Sequence, residues 1–320
     1  MKSPSPGRRS RAKDSTAGPS VDGSARHILV ILALGALTCL AFSNSFQAGF
    51  VLDNRGLLVD PRIREATPDN LALIFQHTYW WPNGEAGLYR PFTTLSYLFN
   101  YSILGDAGEA AGYHFINLIL HFANVLLAYV LALRLTRRFW PAAFIAAVWA
   151  VHPVLTEAVT NIVGRADLLA AVAVLCGLLI YLETADAQGW RRALWLAALT
   201  IVTALGVFSK ESAVAILPLI ALFEFVWWKQ RPNHRALVYG CAATLVPIAA
   251  LLYQRSIVLA ASAPAEFPYT DNPIVGASWW TGRLTAIKVI AHYLWLTIWP
   301  VKLSCDYSYN QIPVALKVTF

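Results

Sequence analysis

Long runs of apolar residues without charge constrain the fold of this chain more than any other feature. The runs ILVILALGALTCLAF and YHFINLILHFANVLLAYVLAL contain no Asp, Glu, Lys or Arg. A helix that crosses the hydrocarbon core of a bilayer needs about 20 such residues, and shorter runs gain length from weakly polar flanks. Charged residues make up 13% of the chain, whereas soluble domains carry roughly 25%. We therefore predict an all-α polytopic membrane protein with about eight spans, at 28–42, 113–133, 141–151, 168–182, 193–208, 212–228, 236–253 and 284–299.

Basic residues in alternate loops predict how these spans are oriented. Lys and Arg cluster in the N-terminal tail and in the loops near 136, 187 and 232. Because short basic loops stay in the cytoplasm, we predict a cytoplasmic N-terminus and outer loops at 47–112 and 152–167. For a bacterial chain the predicted location is the plasma (inner) membrane. The net charge of +7 follows from this pattern, so membrane lipids rather than nucleic acid are the predicted partners.

The chain divides into two predicted regions. Residues 1–25 are rich in Ser, Pro, Gly and Arg, and such a segment cannot bury enough apolar surface to fold. We predict a disordered cytoplasmic tail there and one transmembrane domain over 26–320. In its long first outer loop, PDNLALIFQ predicts a helix begun by proline. The stretch YRPFTTLSYLFNYSIL predicts a helix on the membrane surface with Pro91 in its first turn.

Three of the carboxylates on the predicted outer side are candidate site residues. Asp53 follows the first span in FVLDN, where a carboxylate can act as a general base on a hydroxyl. The same pattern also favours an Asx-turn or a helix cap. Glu157 in TEAVTNIVGRAD is the second candidate catalytic residue. Asp167 is predicted to support the site or to cap the following span.

Among the cations on that side, we predict that Arg90, Arg165 and Lys210 bind a phosphate. A guanidinium binds phosphate bidentately, and a lysine binds it as a point charge. Two alternatives remain open from the sequence. Arg90 in LYRPF could extend to lipid headgroups, and Arg165 could pair with Glu157 on one helical face.

Polar residues form a stripe on the second predicted span. His114, Asn117, His121 and Asn124 recur at spacings of 3, 4 and 3, which places them on one helical face. Polar groups are costly in lipid, so this face is predicted to point into the bundle. Hydrogen bonds between helices are the favoured interpretation. His114 and His121 are supporting candidates for the site, and the pattern gives little support for a metal.

The order of several motifs resembles that of a known family. The segments FVLDN, LYRPFTTLSYLFNY, AVWAVHPVLTEAVTNIVGRADLLAA, FSKES and IWPVKLSCDYSYNQIP are similar to those of the transmembrane and tetratricopeptide-repeat O-mannosyltransferases and their bacterial relatives. The resemblance implies a GT-C-like membrane bundle with its site on the outer or lumenal face. It also implies transfer of a mannose-like sugar from a polyprenyl-phosphate carrier to a hydroxyl on a protein or glycan, with no cofactor or metal required.

The resemblance also assigns roles to individual residues. The family's acidic pair after the first span maps onto Asp53 and Asn54, so the second acid is an amide here. Asp53 would take the proton from the acceptor hydroxyl, and Arg90, with Arg165 or Lys210, would stabilise the departing phosphate. The family's further spans and repeats are expected to be missing, which makes the transmembrane domain incomplete at its C-terminus.

Two other classes of function stay open from the sequence. A transporter or flippase for a lipid-linked sugar would use the polar stripe as a path and would need helices broken near the midplane. A non-catalytic membrane scaffold would need no convergent site. Convergence of Asp53, Arg90 and Glu157 beside a lipid-sized groove would favour the enzyme.

Overall fold

The computed structural model describes residues 21–82, 84–227, 234–270, 272–304, 307 and 311–315, and within these ranges the chain is helical with no strand. Its α-helices are α1 (Val21–Phe42), α2 (Arg55–Val59), α3 (Pro68–Gln76), α4 (Pro91–Leu98), α5 (Ala110–Thr136), α6 (Phe139–Val151), α7 (Thr156–Thr160), α8 (Arg165–Asp186), α9 (Gly189–Val207), α10 (Ile216–Trp227), α11 (His234–Ala260) and α12 (Trp279–Ile298). The end of the predicted tail, 21–25, is helical, and residues 1–20 lie outside the described ranges. So does most of the DYSYN segment.

Five of these helices, α1, α5, α8, α9 and α11, are long and apolar enough to cross a membrane. A sixth span exists if α6 and the segment Pro153–Thr160, bent by 47° at His152, are counted as one. Within the described residues the eight predicted runs are largely helical, but α10 is described over 12 residues and α12 carries Arg283 and Lys288. An all-α polytopic membrane protein is thus confirmed, with five or six spans in the described part instead of about eight.

Small residues bring the spanning helices together. Ala142, Ala146 and Ala150 form one fully buried face of α6, which packs against α1 and α5. A face of alanines lets helix backbones approach closely, which is how helices associate in lipid without a hydrophobic driving force. The helices α8, α9 and α11 continue the bundle on the other side of α5.

The polar stripe of α5 ties this helix to its neighbours. Asn117 Nδ2 donates to the carbonyl of Asn161 at 3.0 Å, and Asn124 Nδ2 donates to that of Leu168 at 3.0 Å. The Nε2 atoms of His114 and His121 bond the carbonyls of Ala48 at 3.2 Å and Ala150 at 3.1 Å. These bonds confirm that the stripe makes hydrogen bonds between segments.

The long segment 47–112 folds into a compact cap on one end of the bundle. Its core contains Leu57, Ile63, Ile74, Tyr79, Tyr97 and Leu98, which pack with Tyr113 of α5 and with Ile162. The helix α3 begins at Pro68 as predicted, with Thr67 as its N-cap. The helix α4 also begins with its predicted proline, but most of its residues are buried in the protein. The helix α4 therefore packs as part of the cap, and its position at the membrane surface stays a prediction.

Candidate active site

A cavity of about 890 Å³, called the main cavity here, lies where the cap meets the bundle. Five of the charged residues singled out from the sequence line it, although they come from four separate parts of the chain. They are Asp53 beside α2, Arg90 at the start of α4, Glu157 in α7, Asp167 in α8 and Lys210 after α9. The convergence that distinguishes an enzyme site from a scaffold is therefore present in the structure.

Asp53 presents an exposed carboxylate to this cavity. Among the described residues it makes no hydrogen bond or ion pair, so the predicted capping role is not seen. Its neighbour Asn54 is only 1% exposed, and the Oδ1 atom of Asn54 accepts a hydrogen bond from the backbone N–H of Val163 at 3.0 Å. This bond ties the cap to the segment before α8, and it holds the backbone that carries Asp53.

Arg90 is held in place by a carboxylate that lies far away in the sequence. Its Nε and Nη2 atoms donate to Glu211 Oε2 at 3.1 and 3.0 Å. The guanidinium also lies over the Tyr79 ring, 5.5 Å from its centre. Nη1 has no partner in the described ranges, so one edge of the guanidinium is available to another acceptor. Glu211 Oε1 is buried and likewise makes no hydrogen bond there.

Lys210 is paired as well, and its Nζ lies 2.6 Å from both carboxylate oxygens of Asp167. Lys210 and Asp167 are both partly exposed to the cavity. An anion that binds Lys210 would therefore compete with Asp167 for the ammonium group. Asp167 thus contacts Lys210, the residue predicted to bind the phosphate, and this contact is the physical basis for a supporting role.

Arg165 lies outside the cavity lining and is fully buried. Its Nε donates to Asn117 Oδ1 at 2.8 Å, its Nη1 to the Ser96 carbonyl at 3.0 Å and to Asn100 Oδ1, and its Nη2 to the Tyr113 carbonyl at 3.0 Å. None of these bonds goes to Glu157. Arg165 therefore joins α4, α5 and α8, and neither role predicted for it from the sequence fits this environment.

The two histidines occupy different positions relative to the site. His121 lines the cavity together with Asn124, whereas His114 does not. Both rings bond backbone carbonyls, so their effect on the cavity is to hold α5 against the surrounding segments.

The other half of the cavity is apolar and runs between helices. Leu168, Ala171, Leu175 and Leu178 of α8 line one side, and Trp149 of α6 adds an aromatic surface. At 1.5 Å per residue, the α8 wall from Asp167 to Leu178 extends roughly 16 Å. One end of the cavity thus carries charges, and the rest is suited to a hydrocarbon chain.

The aromatic residues Tyr79 and Trp80 also line the polar end, and sequence reasoning missed them as site residues. The unusual run TYWW within a polar loop was the available signal. Burial raises the pKa of Tyr79 well above its ordinary value, so its phenol stays protonated at neutral pH. Its hydroxyl lies 3.2 Å from that of Tyr97, which holds the ring beside Arg90.

Comparison with known proteins finds a consistent set of relatives. The family model described as "Protein O-mannosyl-transferase TMTC, DUF1736" matches residues 261–319. Protein O-mannosyl-transferase Tmtc2 of Drosophila melanogaster is 31% identical over 87% of this chain and 30% of its own length. Protein O-mannosyl-transferase Tmtc1 of the same fly is 27% identical over 92% of this chain and 36% of its own length. Protein O-mannosyl-transferase TMTC4 of Mus musculus is 28% identical over 90% of this chain and 44% of its own length.

These matches confirm the family resemblance that the motifs indicate. The chain spans about a third of the length of the first curated relatives it matches. No solved structure matches it.

Proposed function

Because the chain is similar to the TMTC protein O-mannosyl-transferases over most of its length, we propose that it is a membrane glycosyltransferase. In this proposal it moves a mannose-like sugar from a polyprenyl-phosphate carrier to a hydroxyl of a protein on the outer or lumenal face. The fold that the proposal assumes is a GT-C-like bundle, and the relatives' printed names support the reaction class.

The observation that supports this proposal most strongly is the set of residues that line the main cavity. It combines a carboxylate that has no hydrogen-bond or ion-pair partner in the described ranges, two cations and an apolar extension between helices in a single space. A polyprenyl-phosphate sugar needs the same three environments: a base beside the sugar, cations at the phosphate, and an apolar groove for the chain. The transporter alternative finds less support, because the polar side chains of α5 bond to backbone carbonyls.

The chemistry follows from these positions. The acceptor hydroxyl oxygen attacks the anomeric carbon while the hydroxyl proton moves to the Asp53 carboxylate. The bond between the anomeric carbon and the phosphate oxygen breaks, and the polyprenyl phosphate leaves with the electron pair. Arg90 and Lys210 stabilise the charge that develops on that phosphate, an electrostatic contribution that grows in the transition state.

Other residues support this arrangement without touching the reacting atoms. Arg165 on α8 holds α4 through its bond to the Ser96 carbonyl, and so supports the two helices that carry Arg90 and Asp167. Glu157 lines the cavity on α7 and is the carboxylate that would serve as base if Asp53 does not. The phosphate is already a good leaving group, so the proposal requires no cofactor and no metal.

The test is a transfer assay with purified protein in lipid nanodiscs. Radiolabelled polyprenyl-phosphate mannose and a serine- or threonine-containing peptide are the substrates. We expect label on the peptide with wild-type protein, and roughly 10²–10⁴-fold less with Asp53→Asn. Asp69→Asn is the matched control, because Asp69 is an exposed carboxylate on α3 outside the cavity. Equal rates for the two variants would remove Asp53 as the base.

A further inference from the structure

A second cavity lies on the other side of Asp53. Its volume is about 350 Å³, and it is lined by Asp53, Gly56, Leu57, Asp60, Tyr79, Trp80, Trp81, Gly84, Glu85 and Ala86. Three of these residues, Asp53, Tyr79 and Trp80, also line the main cavity. Asp53 therefore stands on the partition between two spaces, and a group in either space can reach its carboxylate.

The charges in the second cavity differ from those in the main one. Its lining contains the carboxylates of Asp53, Asp60 and Glu85 and, among described residues, no lysine or arginine. Asp60 is compensated by the buried Arg62, whose Nη2 lies 2.8 Å from Asp60 Oδ2. The other two carboxylates keep the cavity negative. A phosphate is repelled here, whereas a neutral or basic group is accepted.

The cavity wall is firmly built. The guanidinium of Arg62 is fully buried and donates to the carbonyls of Thr78, Tyr79 and Trp81, each at 3.0 Å. These bonds fix the turn that carries the aromatic residues. Opposite them, Gly56 lets the backbone of α2 approach the Trp80 ring, since an added Cβ would lie 3.3 Å from it.

Part of the wall is an irregular stretch of backbone at residues 84–86. Residues 84–86 have no regular secondary structure, and the backbone N–H groups of Glu85 and Ala86 make no hydrogen bond within the described ranges. The Glu85 side chain accepts hydrogen bonds from the Thr78 hydroxyl and the Gly87 N–H, both at 2.7 Å. Free main-chain groups beside a cavity are what an extended peptide pairs with.

The aromatic rings of this cavity offer little free surface on which a sugar could stack. The Trp81 ring is already stacked on His77, with centroids 4.4 Å apart, and the Arg62 guanidinium lies over it at 5.4 Å. The Trp80 ring packs edge-to-face with Tyr79 at 4.6 Å and against Gly56. The aromatic faces are engaged within the protein, so the lining favours a peptide over a glycan.

We propose that this second cavity is the acceptor subsite, which holds an extended peptide with neutral or basic residues beside a serine or threonine. The inference rests on the proposed function and deepens it. The donor fills the main cavity, and the peptide hydroxyl reaches Asp53 from the second one. The hydroxyl proton goes to Asp53 as the new bond to the anomeric carbon forms, and the phosphate bond breaks on the far side. A volume of about 350 Å³ is within the range of roughly 300–1,000 Å³ that ligand pockets occupy.

The variant Gly84→Phe tests this assignment. Gly84 lines the second cavity and not the main one, and a Cβ there meets only the Trp80 Cβ at 3.8 Å. A phenylalanine is therefore tolerated and reduces the space for a peptide. The matched control is Gly49→Phe, since Gly49 belongs to the same long segment, lines neither cavity and has nothing within 4 Å of an added Cβ.

Two measurements separate the acceptor from the donor. For Gly84→Phe we expect the KM for an alanine-rich octapeptide with one threonine to rise about tenfold or more, because the phenylalanine ring occupies space that the peptide needs. Binding of polyprenyl-phosphate mannose should change less than about twofold. A second peptide series carries glutamine, glutamate or lysine beside the threonine. For wild-type protein, glutamate should raise the peptide KM roughly tenfold relative to glutamine, and lysine should lower it.

The outcomes distinguish a failure of the proposed transferase function from a failure of the acceptor subsite alone. Wild-type protein that transfers no sugar to any acceptor would refute the proposed function, and this inference with it. If wild-type protein transfers sugar but Gly84→Phe keeps the peptide KM of Gly49→Phe, the acceptor assignment alone is wrong. Preferred transfer to a methyl mannoside over the peptide, abolished by Gly84→Phe, would overturn the peptide assignment in favour of a glycan.

Discussion

Removing the Arg165 side chain is the perturbation whose size the structure defines best. Arg165→Ala leaves four buried acceptors without their donor: Asn117 Oδ1, Asn100 Oδ1 and the carbonyls of Ser96 and Tyr113. A buried polar group that loses its partner costs about 1–3 kcal/mol. The full sum overstates the loss, because these groups share one site and water can enter the space left behind. We expect a loss of about 3–5 kcal/mol, comparable to breaking a buried ion pair.

The expected result is a large loss of stability with little loss of donor affinity. Thermal unfolding in detergent should show a midpoint lower by roughly 10 °C. Arg165→Lys keeps the charge but not the planar fork of donors, so its midpoint should fall between those of the wild type and the alanine variant. Arg138→Ala is the control, since Arg138 is exposed at the start of α6 and its side chain makes no capping bond.

Donor binding decides between a structural residue and a ligand. At a temperature where every variant is folded, polyprenyl-phosphate mannose should bind Arg165→Ala within about threefold of the wild-type affinity. A variant that keeps its melting temperature but loses donor binding would refute the reasoning. Arg165 would then be a phosphate ligand, as first predicted from the sequence.

Three further predictions concern the other parts of the site. Asp167→Asn removes the carboxylate that competes for Lys210, so donor affinity measured by titration should rise about three- to tenfold; a fall would mean that Asp167 orients Lys210 for binding. Asn54→Leu deletes the bond that holds the backbone of the candidate base, so kcat should drop while donor affinity stays constant; a loss of donor affinity with kcat unchanged would contradict this. In a cysteine-free background, an impermeant thiol reagent applied to intact cells should label Glu65→Cys but not Gln188→Cys, and the reverse pattern would invert the predicted topology.

The sequence was sufficient to predict the class of fold and the grouping of the site residues. Apolar runs without charge can only be spanning or buried helices. Alternating basic loops then assigned Asp53, Arg90, Glu157 and Lys210 to one side of the bundle, and the structure brings these four residues into one cavity. The polar stripe of α5 was also interpreted correctly, because a polar group within an apolar helix needs a partner.

Contacts between distant segments are what the sequence could not show. Arg90 and Arg165 both flank apolar helices and look equivalent in sequence, yet one faces the cavity and the other is enclosed. The partners of Arg165 lie 48 to 69 residues away, and Glu211 lies 121 residues from Arg90. Within the described residues fewer helices than predicted are long and apolar enough to cross a membrane, because some apolar runs form helices that are too short or too polar for a span.

The central claim is that the main cavity binds a polyprenyl-phosphate sugar with its phosphate at two cations. The most direct measurement is an experimental structure of the protein in nanodiscs with a non-hydrolysable polyprenyl-phosphonate mannose bound. We predict that the phosphonate lies within hydrogen-bonding distance of Arg90 Nη1 and Lys210 Nζ, with the sugar beside Asp53 and the lipid along α8 toward Leu178. A phosphonate bound outside this cavity, with Arg90 still paired only to Glu211, would contradict the account.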